Sequence, residues 1–151
     1  MKKSKYFALT ELVCPHVFKR FGEFAWLFLD YRLLETIDIL KEKIFPDKKI
    51  YVNNWNIGGK CEERGLRCGL CSIVKSKVKA VIAYLSAHVT GKGIDFTVEG
   101  ISAVEARKII DKNKVHLPYP IRLEDDESAP TWVHLDVYDN CNSQIITYVK
   151  G

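Results

Sequence analysis

The sequence predicts a single α+β domain over residues 1–151, with an antiparallel β-sheet and flanking helices. Three observations carry that expectation. Apolar residues recur at helical spacing early in the chain, as Trp26, Leu27, Leu33, Leu34, Ile37, Ile39 and Leu40. Short alternating runs, such as 93–98 and 132–137, dominate the second half. No repeat, low-complexity tract or linker divides the chain, and 151 residues suffice to bury one sizeable core.

In chain order, Thr10 suits the N-cap of a short helix opened by Glu11, Leu12 and Val13. A core-facing helix is predicted over 24–44, interrupted near Asp30 and ended by Phe45-Pro46-Asp47. Ile50-Tyr51-Val52 reads as a short strand, and Gly58-Gly59 with the charged stretch 60–65 as a loop. Val74, Val78, Ala80, Val81 and Leu85 predict a helix over 73–85. After the strand over 93–98, Ser102 caps a helix running to Ile110, with Glu105 completing a capping box. Strands over 121–123, 132–137 and 144–149 complete the sheet.

The chemistry-bearing residues gather in two places. Ser86-Ala87-His88-Val89-Thr90-Gly91-Lys92-Gly93-Ile94-Asp95 sets an imidazole and a carboxylate seven residues apart, with glycines between them where the backbone can bend. Trp132-Val133-His134-Leu135-Asp136 adds a second imidazole and a second carboxylate. His88, Asp95 and His134 supply three ligands for a zinc ion whose fourth position is left to water, the pattern of catalytic zinc. Water so placed ionises near neutral pH and can attack an amide carbonyl that the same metal polarises. The plain alternative makes His88 a satisfied histidine and Asp95 a turn residue. By strand parity His134 and Asp136 share one face, while Val133, Leu135 and Val137 share the other; Asp95 lies opposite Ile94 and Phe96. The ligands would then stand on the exposed face of the sheet, as the floor of a shallow cleft suited to an extended peptide.

The string Ser86-x-His88-x-x-Gly91-x-Gly93-x-Asp95, followed by Trp132-x-His134-x-Asp136, resembles the zinc D-Ala-D-Ala carboxypeptidase family. Its superfamily also holds lysostaphin-type peptidases and the hedgehog signalling domain. The resemblance runs from about Tyr6 to about Tyr148. Phe7-Ala8-Leu9-Thr10-Glu11-Leu12 is similar to the opening of the small single-domain branch, much of it phage lysins and bacterial murein peptidases. The resemblance implies a zinc peptidase that hydrolyses amide bonds of peptidoglycan stem peptides, as carboxypeptidase or endopeptidase. Ile50-Tyr51-Val52-Asn53-Asn54-Trp55 stands where relatives have a strand leading to a substrate-binding arginine, which implies Arg64 or Arg67 for that role. A guanidinium fork suits a carboxylate, and two solvated charges are the alternative. Ser86 would hydrogen-bond a substrate carbonyl or shape the turn; Trp132 would wall the cleft or pack in the core.

The chain departs from the family at one position. Well-known members carry an acid three residues before the second histidine, where this sequence has Thr131, and threonine cannot act as a base at neutral pH. Asp136 and Glu124 are the candidates to replace it. Asp136 is favoured for sharing the face of His134 and matching a His-x-Asp pattern of the small branch; orienting a ligating imidazole is its other reading. Glu124 opens the acidic run Glu124-Asp125-Asp126-Glu127, most of which reads as a solvated loop. Thr131 also keeps open a non-catalytic zinc-containing cell-wall-binding module, or a phage structural component with a vestigial site.

Of the five cysteines, Cys68 and Cys71 form a C-x-x-C, and Cys14-Pro15-His16 offers two further ligands. Cys14, His16, Cys68 and Cys71 could together hold a structural zinc ion. Reduced, partly buried thiols or a redox pair are the alternatives, although the βαβ context of the latter is missing. The composition, 47% hydrophobic and 28% charged, is that of an ordinary globular domain. A net charge of +4 suits approach to an anionic cell wall and is too small and dispersed to argue for nucleic acid. No apolar run approaches the roughly 20 residues of a membrane span. Met1-Lys2-Lys3-Ser4-Lys5 is followed by Thr10 and Glu11 before any apolar run, so no secretory signal is expected. The expectation is a monomer made in the cytoplasm and acting on the wall after release by lysis.

Overall fold

The computed structural model describes residues 1–139 and 143–151. Helix α1 (Leu9–Leu12) begins ahead of the predicted Thr10 cap, because the Glu11 carboxylate accepts the Ala8 N–H at 2.8 Å and closes the first turn. Leu9 and Leu12 are thereby turned into the core. Helix α2 (Pro15–Phe21) opens on a proline, whose missing N–H costs nothing there, and a 3-10 turn (Gly22–Phe28) follows. The expected interruption is present: Asp30 caps helix α3 (Tyr31–Ile39), its side chain accepting the Arg32 N–H at 2.9 Å. A π turn, Leu40–Ile44, extends α3, and Leu33, Leu34, Ile37 and Leu40 face the core.

The remaining strands and α-helices are β1 (Ile50–Tyr51), α4 (Ser72–Lys79), β2 (Gly93–Val98), α5 (Ala103–Lys112), β3 (Ile121–Glu124), β4 (Val133–Asp136) and β5 (Ile146–Val149), with short 3-10 turns at Trp55–Ile57 and Lys114–His116. Ser102 caps α5 as expected, its hydroxyl accepting the Glu105 N–H at 3.1 Å. Helix α4 stops six residues short of the predicted end at 85. Val81 takes a positive φ of 59°, which a β-branched residue cannot hold inside a helix, and Val81, Ile82 and Leu85 are exposed. The apolar positions that suggested a longer helix therefore face away from the core.

The sheet order is β1-β2-β4-β3-β5. β2 pairs antiparallel with β1 and β4, and β3 antiparallel with β4. β5 runs parallel to β3, so the sheet is mixed, which corrects the expectation of a wholly antiparallel one. Both edges of β4 are already taken by β2 and β3. The last strand must step across β3, and running opposite to β4 leaves it parallel to its new neighbour. Ile94, Phe96, Leu123, Val133 and Leu135 are buried on one face, against which α5 packs along β2 and β4. Among the described residues, no helix is long and apolar enough to cross a membrane.

Candidate metal centre

Strand register builds the other face. β2 and β4 set Asp95 opposite His134 and Gly93 opposite Asp136. β3 and β4 set Arg122 opposite Asp136 and Leu123 opposite Leu135, and one residue further Glu124 comes opposite His134. Two polar rows cross the sheet: Asp95, His134 and Glu124 in one, Gly93, Asp136 and Arg122 in the next. β1 pairs only at Val98 and Thr97, so the loop after it runs beside the rest of β2, and the Asp95 N–H donates to the Arg64 carbonyl at 2.7 Å.

His88 reaches this face from the turn before β2. A Cβ at Gly93 would come 2.7 Å from that of Ala87, so the absence of a side chain there lets the turn lie on the strand. Gly91 has φ 71°, and a side chain on it would collide with the Phe28 carbonyl. Its own carbonyl accepts the Asp30 N–H at 2.9 Å, tying the turn to the start of α3.

Three donor atoms converge. His134 Nδ1 lies 2.7 Å from Asp95 Oδ1 and 3.1 Å from His88 Nε2, which lies 3.2 Å from Asp95 Oδ1. Ligands about 2.0 Å from a zinc ion stand roughly 3.3 Å apart in a tetrahedron; the two sides that meet at His88 Nε2 match this, and the Asp95–His134 side, closed by a hydrogen bond, is shorter. Each donor is fixed from behind. His88 Nδ1–H donates to the Gly65 carbonyl at 2.8 Å, leaving the Nε2 lone pair for the centre. Asp95 Oδ2 accepts from Arg67 Nη2 at 2.7 Å, and His134 Nε2 faces Asp136 Oδ2 at 3.4 Å. Burial disfavours a charged His134, but hydrogen bonds to Asp136 and Asp95 outweigh it and raise its pKa to about 9. Burial likewise opposes ionisation of Asp95, and hydrogen bonds from His134 and His88 outweigh it, holding the carboxyl well below its usual range. Metal ligation would replace the His134 proton.

The three candidate ligands are buried rather than exposed: His88, Asp95 and His134 are 3%, 8% and 7% accessible. The loop through Gly65 and Arg67 and the turn through Ser86–His88 fold over the sheet face, so the shallow exposed floor expected from strand parity becomes the bottom of a cleft. That cleft is a cavity of about 380 Å³, with Ser86, His88, Asp95, Glu124, Trp132 and His134 in its lining. Trp132 is half-buried and walls it. The Ser86 hydroxyl is buried with no partner among the described residues. Arg67 borders the cleft with its guanidinium on Asp95 and on the Glu63 carbonyl, whereas Arg64 lies in the adjoining hollow. Thr131 is exposed and borders a different hollow, beside Thr97 and Pro130.

The two candidate bases differ sharply in surroundings. Asp136 is 1% accessible, with its oxygens held by Arg122 Nε and Nη2 at 2.9 Å each and by the Tyr138 N–H at 3.0 Å. Burial opposes its ionisation, and the contacts to His134 and Arg122 lower its pKa nonetheless. Glu124 is half-buried and borders the cleft. Sequence reasoning missed Arg122 and the Gly65 carbonyl, since neither belongs to a motif and only strand pairing or loop placement brings them to the site. It also missed Arg107, 2% accessible, which donates to the Trp132 carbonyl at 2.7 Å and to Asp126 at 2.9 Å, pinning the β3–β4 connection. Cys14, His16, Cys68 and Cys71 also come together, with donor atoms within 4.8 Å of one another. Comparison with family models, curated proteins and solved structures gives no match for this chain.

Proposed function

We propose that this chain is a zinc-dependent peptidase that cleaves amide bonds of peptidoglycan stem peptides, as its resemblance to the zinc D-Ala-D-Ala carboxypeptidases implies. The observation that carries the proposal is the converging triangle of His88 Nε2, Asp95 Oδ1 and His134 Nδ1 at the bottom of a cleft, each donor fixed from behind. Zinc held there would polarise a carbonyl and acidify a water.

Glu124 is the base in this reading. It stands beside His134 across the strand pair and borders the cleft, and its carboxylate would take the proton of the attacking water and return it to the leaving amine nitrogen. Asp136, its oxygens engaged by Arg122, keeps the His134 Nε2–H turned away from the metal side and is a positioning residue. Arg67 does the same for Asp95. Trp132 and Tyr84 flank the space a peptide backbone would occupy, and Lys150 adds a cation suited to a stem-peptide carboxylate. Cytoplasmic synthesis and action at the wall after lysis belong to the same proposal.

The test is mass spectrometry of defined muropeptides incubated with zinc-loaded protein, beside a chelated sample. A new fragment that disappears on chelation supports the peptidase and identifies the bond cut. Intact muropeptides in the presence of stoichiometric zinc would overturn it in favour of a binding module or a structural component.

A further inference from the structure

Away from the cleft, Cys14 and His16 at the start of α2 meet Cys68 and Cys71 ahead of α4. We infer that these four side chains form a structural zinc site, three thiolates and one imidazole, which fastens the loop carrying Arg67 to the N-terminal helices. The inference is independent of the peptidase reading.

The geometry separates this from the alternatives. Cys14 Sγ and Cys68 Sγ lie 3.8 Å apart, and Cys14, Cys68 and Cys71 are all free thiols. A disulfide needs about 2.05 Å. Sulfurs bound about 2.3 Å from one zinc ion stand about 3.8 Å apart in a tetrahedron, which matches the separation found. A redox dithiol requires two sulfurs, yet a third thiol and an imidazole converge on the same point. Backbone N–H groups already turn toward the sulfurs: that of Cys68 donates to Cys71 Sγ at 3.3 Å, and that of Leu70 to Cys68 Sγ at 3.4 Å. Such contacts stabilise thiolate charge. Cys14 and Cys71 are wholly buried, Cys68 half-buried and His16 exposed, so the imidazole closes the site from the solvent side. Four protein ligands leave no open position, which marks a structural rather than a catalytic ion.

The backbone presents the two ligand pairs to each other. Leu66 N–H donates to the Leu12 carbonyl at 2.8 Å, and Cys14 N–H donates to the Leu66 carbonyl at 3.0 Å. Arg67, between this bridge and Cys68, donates its own N–H to the His88 carbonyl at 3.1 Å and its guanidinium to Asp95. A metal on the cysteines would thus hold one end of the segment that backs the cleft ligands.

Cobalt(II) loading of the reduced, full-length chain tests the site, because thiolate ligation gives a sulfur-to-cobalt charge-transfer band that two histidines and an aspartate cannot. The band is expected in the wild type and in His88→Ala/His134→Ala, and absent in Cys68→Ser/Cys71→Ser. Elemental analysis of zinc-loaded protein should give one fewer ion in Cys68→Ser/Cys71→Ser than in the wild type. His16→Ala changes an exposed residue and spares the core; it should keep part of the band and lose metal to a chelator at roughly tenfold lower chelator concentration. No charge-transfer band with the thiols reduced, or a Cys14–Cys68 disulfide found by mass spectrometry in protein isolated without oxidant, overturns the inference. Both readouts report on the cysteines alone, so failure here leaves the peptidase test untouched.

Discussion

Glu124 and Asp136 carry the same functional group in surroundings that suit it to different roles. A carboxylate 1% accessible and gripped by a guanidinium fork has no lone pair to spare for a substrate proton, whereas Glu124 borders the cleft. Glu124→Gln should therefore lower turnover about a hundredfold or more with zinc content unchanged. Asp136→Asn should instead weaken zinc binding by about 10–100-fold, because His134 loses the partner that orients it. Metal analysis beside steady-state rates separates the two, and near-full turnover in Glu124→Gln would remove Glu124 from the mechanism. Arg122 is the third member of this set. Arg122→Ala leaves a buried carboxylate without its cation, and urea unfolding should show a loss of about 3 kcal/mol. A loss below 1 kcal/mol would mean that the exposed side of the pair is already satisfied by water.

At the scale of elements, the turns and caps decide where the ligands arrive. Gly93→Ala forces the turn through Ala87 off the strand, and with it the ring of His88. Overpacking of this kind costs about 1–3 kcal/mol, so zinc affinity should fall roughly tenfold while the circular dichroism spectrum stays native. Unchanged affinity would show that the turn slides without moving His88. Asp30 caps α3 and donates its own N–H to the carbonyl of Gly91, and the hydrogen bond from Arg32 is the largest cause of its lowered pKa. A carboxylate with a depressed folded pKa contributes stability above its unfolded value that is lost as pH falls through the folded one. The stability gap between wild type and Asp30→Asn, which keeps the cap but not the charge, should begin to narrow as the pH falls toward about 4 and go on narrowing until the pH passes the folded pKa, as read in thermal melts. A gap that stays constant would assign it to shape rather than charge. These elements also show how far the sequence could be read. The break at Asp30 and the Ser102 cap were legible because capping is local. The end of α4 was not, since Val81, Ile82 and Leu85 keep helical spacing yet point away from the core. The partner of β5 was hidden as well, because alternation within one strand says nothing about its neighbour.

At the scale of the whole molecule, the three candidate ligands could be picked out from two short motifs and the resemblance they carry, while the groups that back them could not. His88, Asp95 and His134 lie in two short motifs, but Arg122 and Glu124 join them only through the β3–β4 register, and Cys14 meets Cys68 across 54 residues. The segment 63–71 links these distant parts: the Glu63 carbonyl holds Arg67, the Gly65 carbonyl orients His88, Leu66 bridges to α1, and Cys68 and Cys71 close the second cluster. One stretch of chain thus touches both prospective metal sites, and ordering it at one end reduces the entropy lost in ordering it at the other. Emptying the cysteine cluster should loosen the backing of the cleft ligands. In Cys68→Ser/Cys71→Ser, zinc affinity at the histidine site, read by chelator competition, should therefore drop by a factor of at least about 5, the lower end of ordinary coupling between sites. The reciprocal change must then appear in His88→Ala/His134→Ala as weaker retention of the cysteine-bound ion. Equal affinities in both directions would mean that the Leu12–Leu66 and Cys14–Leu66 hydrogen bonds hold the segment unaided, leaving the second ion to stabilise the N-terminal helices alone.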